Sequence, residues 1–186
     1  MSRLTAVGTA VLVLLAGAVL ASPAAAEERS CAGTIAGASL DNVRVPQGAT
    51  CVLRDSVLNG TLKVERNATL RASNLRINGN VQGEGARLVE VEGSRIGGAY
   101  QVVQGQAATL LTTAVKGTIL VDSNAGAIRL ERNIADDNIQ AFQNRGGVSI
   151  LQNSVEGNLQ CKANNPAPTG GGNVVQGVKE DQCARL

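Results

Sequence analysis

Apolar positions along the chain fall into pairs flanking a single other residue, and the pairs recur. Val43/Val45, Leu62/Val64, Val81/Gly83, Tyr100/Val102, Ile119/Val121, Ile139/Ala141 and Leu159/Cys161 follow one another at intervals of 19 or 20 residues. Period-two alternation predicts a short strand at each pair, with the flanking side chains on one face. A small or turn-forming marker stands two residues ahead of each: Asp41, Gly60, Gly79, Gly98, Gly117, Asp137 and Gly157, with Gly177 closing the series. The match is closest near the C-terminus, where Asn133, Asn153 and Asn173 recur every 20 residues and Ile139-Gln140-Ala141 is echoed by Leu159-Gln160-Cys161.

A fixed interval of this size means a stack of similar turns, each burying its apolar face against its neighbours. The interval is too short for helix-pair repeats, lacks the leucine-rich pattern, and slightly exceeds three hexapeptides of a left-handed helix. The expectation is an all-β, single-domain right-handed parallel β-helix, a solenoid of about seven turns with 19–20 residues per turn. The hand follows from the strong preference of parallel crossovers. Seven turns at about 4.8 Å each make a rod of roughly 34 Å. Leu62, Tyr100, Ile119, Ile139 and Leu159 should share one interior column. Residues 27–40 read as a partial first turn and 164–172, rich in Pro and Gly, as a loop near one end. The register is least defined across residues 83–113.

The polar positions carry their own pattern. Four residues before the markers lie Ser56, Leu75, Ser94, Thr113, Asn133, Asn153 and Asn173, mostly hydrogen-bonding, so Asn133, Asn153 and Asn173 are expected to form a structural amide ladder. Asn67 is placed at a corner that accepts a left-handed backbone, in preference to the glycosylation acceptor that Asn67-Ala68-Thr69 also spells. The outward positions of the main strand are Arg44, Lys63, Gln82, Gln101, Leu120, Gln140 and Gln160. Gln82, Gln101, Gln140 and Gln160 therefore form a column that either bonds to itself or offers a binding face to an extended chain.

Composition agrees with a narrow coil: 44% of residues are hydrophobic and 22 are Gly, but only Tyr100 and Phe142 are aromatic. Residues 1–26 combine Arg3, an uncharged apolar run and Ser22-Pro23-Ala24-Ala25-Ala26, which reads as a signal peptide in preference to a retained membrane anchor, leaving 27–186 as the β-helix domain. Its removal takes away Arg3 and no acidic residue, leaving 16 basic side chains against 15 acidic. That balance favours neither nucleic acid nor an anionic membrane surface. Four cysteines in an exported chain imply disulfides, and the interval pairs Cys31 with Cys51 and Cys161 with Cys183 on adjacent turns. A zinc site is disfavoured, since the chain has no His and no CxxC spacing.

With this pattern in view, the chain resembles the parallel β-helix superfamily that includes pectate lyases and polygalacturonases, and within it the small secreted bacterial members. The second likeness is carried by the signal peptide, Gly157-Asn158-Leu159-Gln160-Cys161, the Pro/Gly stretch, and Gly172-Asn173-Val174-Val175-Gln176-Gly177 leading to Cys183. It is a likeness of fold over nearly the whole exported part, and fold does not confer function. Polygalacturonase-like enzymes use an adjacent Asp pair with a further Asp, a His and an Arg-x-Lys. Asp136-Asp137 matches the pair alone, and a corner position with a surface pairing of Lys116 and Asp136 accounts for both residues. Lyase chemistry would need clustered acidic ligands for calcium, and the outward column has none. Its Gln and basic residues also disfavour the flat Thr arrays of ice-binding solenoids. No catalytic, cofactor or metal residue is assigned. The sequence points to an exported, non-catalytic scaffold or binding protein, secreted or cell-wall associated, with an envelope polysaccharide or protein as partner and a polysaccharide lyase or hydrolase as the alternative.

Overall fold

Each turn contributes three short strands, one to each of three parallel sheets. The computed structural model describes residues 27–186; the signal peptide expected at 1–26 lies outside the described residues. The first sheet has nine strands, running from Glu28–Ser30 through Asn42–Val45, Leu62–Val64, Val81–Glu84, Tyr100–Val103, Ile119–Asp122, Ile139–Phe142 and Leu159–Lys162 to Lys179–Asp181. The second runs from Gly33–Ala36 to Thr169–Gly171 and the third from Ser39–Leu40 to Val174–Val175, with eight strands each. Together they form an all-β parallel solenoid of about 8 turns, with no helix among the described residues.

The apolar pairs face inward as alternation requires. Val43, Leu62, Val81, Tyr100, Ile119, Ile139 and Leu159 are successive register partners, all fully or almost fully buried. The second sheet stacks Ile128 on Val148 and Leu130 on Ile150, and the third stacks Ala135 on Val155 and Val155 on Val175. Across residues 83–113, Gly83 pairs with Val102 and Leu88–Glu92 pairs in full with Ala107–Leu111.

Two expectations need correction. The turn count is about eight because residues 27–40 form a whole coil with a strand in every sheet, made short by tight corners: Glu28 already partners Asn42. Its inward position on the first sheet is Arg29, so no apolar pair betrayed it. Residues 164–172 are not all loop, since Thr169–Gly171 pairs with the strand before it. Gly170 fits there because a Cβ would lie 1.9 Å from the Ile150 carbonyl oxygen, so only glycine allows the approach.

The markers have a steric cause. The residue following a marker is Asn in several turns, and its Oδ1 accepts from a backbone N–H one turn on: Asn42 from Thr61, Asn80 from Ala99, Asn138 from Asn158 and Asn158 from Val178, at 2.8 to 2.9 Å. That oxygen fills the space a Cβ would need at the next marker, lying 2.1 Å from one built on Gly60 or Gly98, 2.6 Å on Gly157 and 2.2 Å on Gly177. Asp137 breaks the series where the preceding turn carries Thr118, whose hydroxyl donates to Asp137 Oδ2 at 2.6 Å.

Candidate functional site

Both disulfides join adjacent turns at the two ends of the rod: Cys31 with Cys51 (Cα–Cα 5.5 Å) and Cys161 with Cys183 (5.1 Å). The pairings are those the interval implied, and two disulfides are consistent with an extracellular protein.

The Asn ladder is also where the spacing places it. Asn133 Nδ2 donates to Asn153 Oδ1 and Asn153 Nδ2 to Asn173 Oδ1, both at 3.0 Å, while each amide also donates to a strand carbonyl: Leu110, Leu130 and Ile150 in turn. Each Oδ1 accepts in addition a backbone N–H from the preceding turn. Sequence reasoning missed a second ladder at the corner between the first and second sheets. There Asn124 donates to Asn144, Asn144 to Asn164, and Asn164 to Gln182 Oε1. Its signal was the same 20-residue recurrence of Asn. All these residues are buried except Gln182, which is exposed, and no buried side-chain polar atom among the described residues lacks a partner. The ladders are closed on themselves and offer nothing to a ligand.

The outward column of the first sheet is in register from Arg44 through Lys63, Gln82, Gln101, Leu120, Gln140 and Gln160. The structure extends it to Glu180, an acidic end that the seven-strand reading left out. Its two halves differ. Gln140 Nε2 donates to Gln160 Oε1 at 2.8 Å and Gln160 Nε2 to Glu180 Oε2 at 2.9 Å, so these amides bond along the rod. Arg44 is held between Glu28 and Glu65, at 3.3 Å from each. By contrast, Gln82, Gln101 and Lys63 make no side-chain hydrogen bond or ion pair among the described residues, and they line a hollow of about 250 Å³ with Gly83, Glu84 and Val103.

Asp136 and Asp137 sit at an exposed corner. Both Asp137 oxygens are engaged, Oδ2 by Thr118 and Oδ1 by Asn138 Nδ2 at 2.6 Å. Lys116 and Asp136 border one hollow without forming the expected ion pair.

Tyr100 occupies the interior column, where its hydroxyl donates to the Val89 carbonyl at 3.0 Å. Burial pushes this phenol well above its ordinary range, and the negative charge of Glu90 adds to the effect.

With that geometry in view, the chain matches no family model, no curated protein and no solved structure. The parallel β-solenoid architecture stands on its own, and no family or homologue supports the resemblance to pectate lyases and polygalacturonases.

Proposed function

We propose that the protein is an exported, non-catalytic solenoid of the cell envelope or extracellular space that holds an extended polysaccharide or peptide along its first sheet. The observation that carries this reading is the division of the outward column. Gln140, Gln160 and Glu180 are committed to one another, whereas Gln82, Gln101 and Lys63 have free donors and acceptors on adjacent rungs of a stiff sheet, about 4.8 Å apart. Such a surface suits a repeating chain bonded through hydroxyls or amides. With Lys63 and Glu84 both at the hollow, the attraction is close to charge-neutral and its salt dependence weak.

The non-catalytic part of the reading rests on Asp137, whose two oxygens are taken up in corner bonds. A panel of uronate polysaccharides tests it: release of reducing or unsaturated sugars by the purified protein would overturn it. For binding, Gln82→Glu with Gln101→Glu should abolish retention on cell-wall material while leaving thermal unfolding unchanged, whereas Gln140→Glu should leave retention intact and lower stability. Full retention by the folded Gln82/Gln101 variant would sink the assignment.

A further inference from the structure

The outward face of the third sheet has a different chemistry. Val57, Arg76, Arg95, Ala114 and Ile134 follow one another up that face on successive turns. Arg76 and Arg95 are direct register partners, both exposed, and neither forms an ion pair among the described residues. Like charges opposite one another on neighbouring strands are destabilising, so folding gains nothing from this arrangement. The two guanidinium groups border a groove of about 560 Å³ on one side and one of about 410 Å³ on the other, where Lys116 joins them. Two acids also line these grooves: Asp55 in the larger, engaged by Asn74 Nδ2 at 3.1 Å, and Asp136 in the smaller, one turn beyond Lys116 but forming no ion pair with it. Val57 and Ile134, exposed by 38% and 52%, flank the cations along the rod.

We propose that this face binds a linear chain of phosphate groups lying along the rod axis. Arg76, Arg95 and Lys116 belong to three successive turns, so their charges spread over roughly 10 Å, which a chain of anions spans and a single ion does not. One guanidinium fork saturates a carboxylate, whereas consecutive phosphates supply fresh non-bridging oxygens to each fork in turn. Nucleic acid shares the phosphates, but single strands are held largely by stacking on aromatic side chains. Tyr100 is buried and Phe142 lies on the first sheet, so this face has no stacking platform.

Titration calorimetry of the purified protein with long-chain inorganic polyphosphate tests the proposal. Binding is expected at low salt, with log K falling as log salt rises. Arg76→Gln with Arg95→Gln should weaken it tenfold or more and flatten the salt slope by about 1 to 2. The double variant Arg87→Gln with Arg145→Gln makes the same change in net charge at exposed positions elsewhere and should leave affinity unchanged. The Arg76/Arg95 variant should unfold at the same temperature as the parent or slightly above it. Absence of binding, equal losses in both double variants, or undiminished affinity in the first would overturn the site. Equal affinity for a single-stranded oligonucleotide would reassign it to nucleic acid. Competition by inorganic phosphate at matched phosphorus concentration would reduce it to a single-anion site and overturn the chain. Retention on the Gln82/Gln101 face is read separately and is unaffected by any of these outcomes.

Discussion

The two halves of the rod meet the same demand at their corners with different side chains. At the two corners flanking the second sheet, in most turns, a residue in the left-handed region is followed by a buried one that must satisfy backbone groups turned away from the sheets. Toward the N-terminus the buried residue between the second and third sheets is Ser56, Leu75, Ser94 or Thr113, and the hydroxyls bond to backbone but not to one another: Ser94 Oγ donates to the Glu92 carbonyl and accepts from Leu75 N one turn back. Toward the C-terminus Asn takes over at both corners, and its longer amide bonds the backbone while linking to the next amide. The change coincides with a longer turn. Four residues separate Val103 from Ala108, while five separate their partners Asp122 and Ile128, and the added residue falls at the corner where Ala86 and Gly105 give way to Asn124. A hydroxyl joins two turns through the backbone alone, whereas the amides also bond to one another in a continuous chain. The C-terminal half should therefore behave as the more cooperative body.

The largest expected effect breaks a ladder at its centre. Asn153 accepts from the N–H and the side-chain amide of Asn133 and donates to the Leu130 carbonyl and to Asn173. Asn153→Ala leaves these partners buried and unpaired and should cost on the order of 3 kcal/mol or more, against about 1 to 2 kcal/mol for Ser94→Ala. Urea unfolding of the two variants measures the difference. Equal losses would mean that the amide chain adds nothing to a hydroxyl cap.

Next in size are the ends, which have one neighbouring turn instead of two and fray first. The first-sheet interior column terminates in Arg29 at one end and Lys179 at the other, so a second rod stacking there would bring two cations together. Each disulfide closes a loop of about 20 residues and should contribute on the order of 3 kcal/mol under the chain-entropy account. Reduction should raise hydrogen exchange in residues 28–54 and 159–183 before the middle of the rod responds. Uniform loosening would show that the turns do not act as nearest-neighbour units.

How much of this could be read from the chain follows from which features repeat by necessity. Every turn must bury the same face, so the apolar pairs, the interior column and the cysteine partners were legible. Asn133, Asn153 and Asn173 were legible because a marker stood at a fixed offset from each. Asn124, Asn144 and Asn164 recur as strictly but follow Ser123, Gln143 and Ala163, which carry no glycine punctuation. The left-handed backbone at those residues was illegible for the same reason, with φ of 57°, 54° and 57°. There the conformation is imposed by hydrogen bonds to the next turn, as from Ser123 N to the Phe142 carbonyl, and not by residue preference. The free half of the Gln column was equally hidden, because identical side chains in register differ only in whether a neighbour accepts them.

A smaller effect concerns Tyr100, the one large aromatic in the core of the hydroxyl-capped half. The folded protein retains its phenolic proton above pH 10, where an unfolded tyrosine begins to release it. The unfolded state then binds fewer protons, so stability falls as pH rises past about 10, by about 1 kcal/mol between pH 10 and 11. Tyr100→Phe should remove this alkaline loss while lowering stability at neutral pH through the missing bond to Val89. Urea midpoints from pH 9 to 11 measure both changes, and an unchanged alkaline slope in the variant would locate the titration elsewhere.

The smallest effect tests whether the hydroxyl-capped half holds strain that the stacking imposes. Thr112 is exposed, β-branched and at φ 49°, and it stacks above Asn74 and Gly93, two residue types that take this conformation readily. Its N–H donates to the Glu131 carbonyl one turn on, which fixes the backbone whatever side chain is present. Left-handed geometry costs an ordinary L-residue about 1 to 2 kcal/mol. Glycine escapes that cost but loses about 0.5 to 1 kcal/mol more through the freedom of its unfolded chain. Thr112→Gly should therefore stabilise by less than about 1 kcal/mol, raising Tm by about 1 to 3 °C. A fall in Tm would mean that the Thr112 side chain, on the wall of the arginine groove, contributes more than its backbone strain removes.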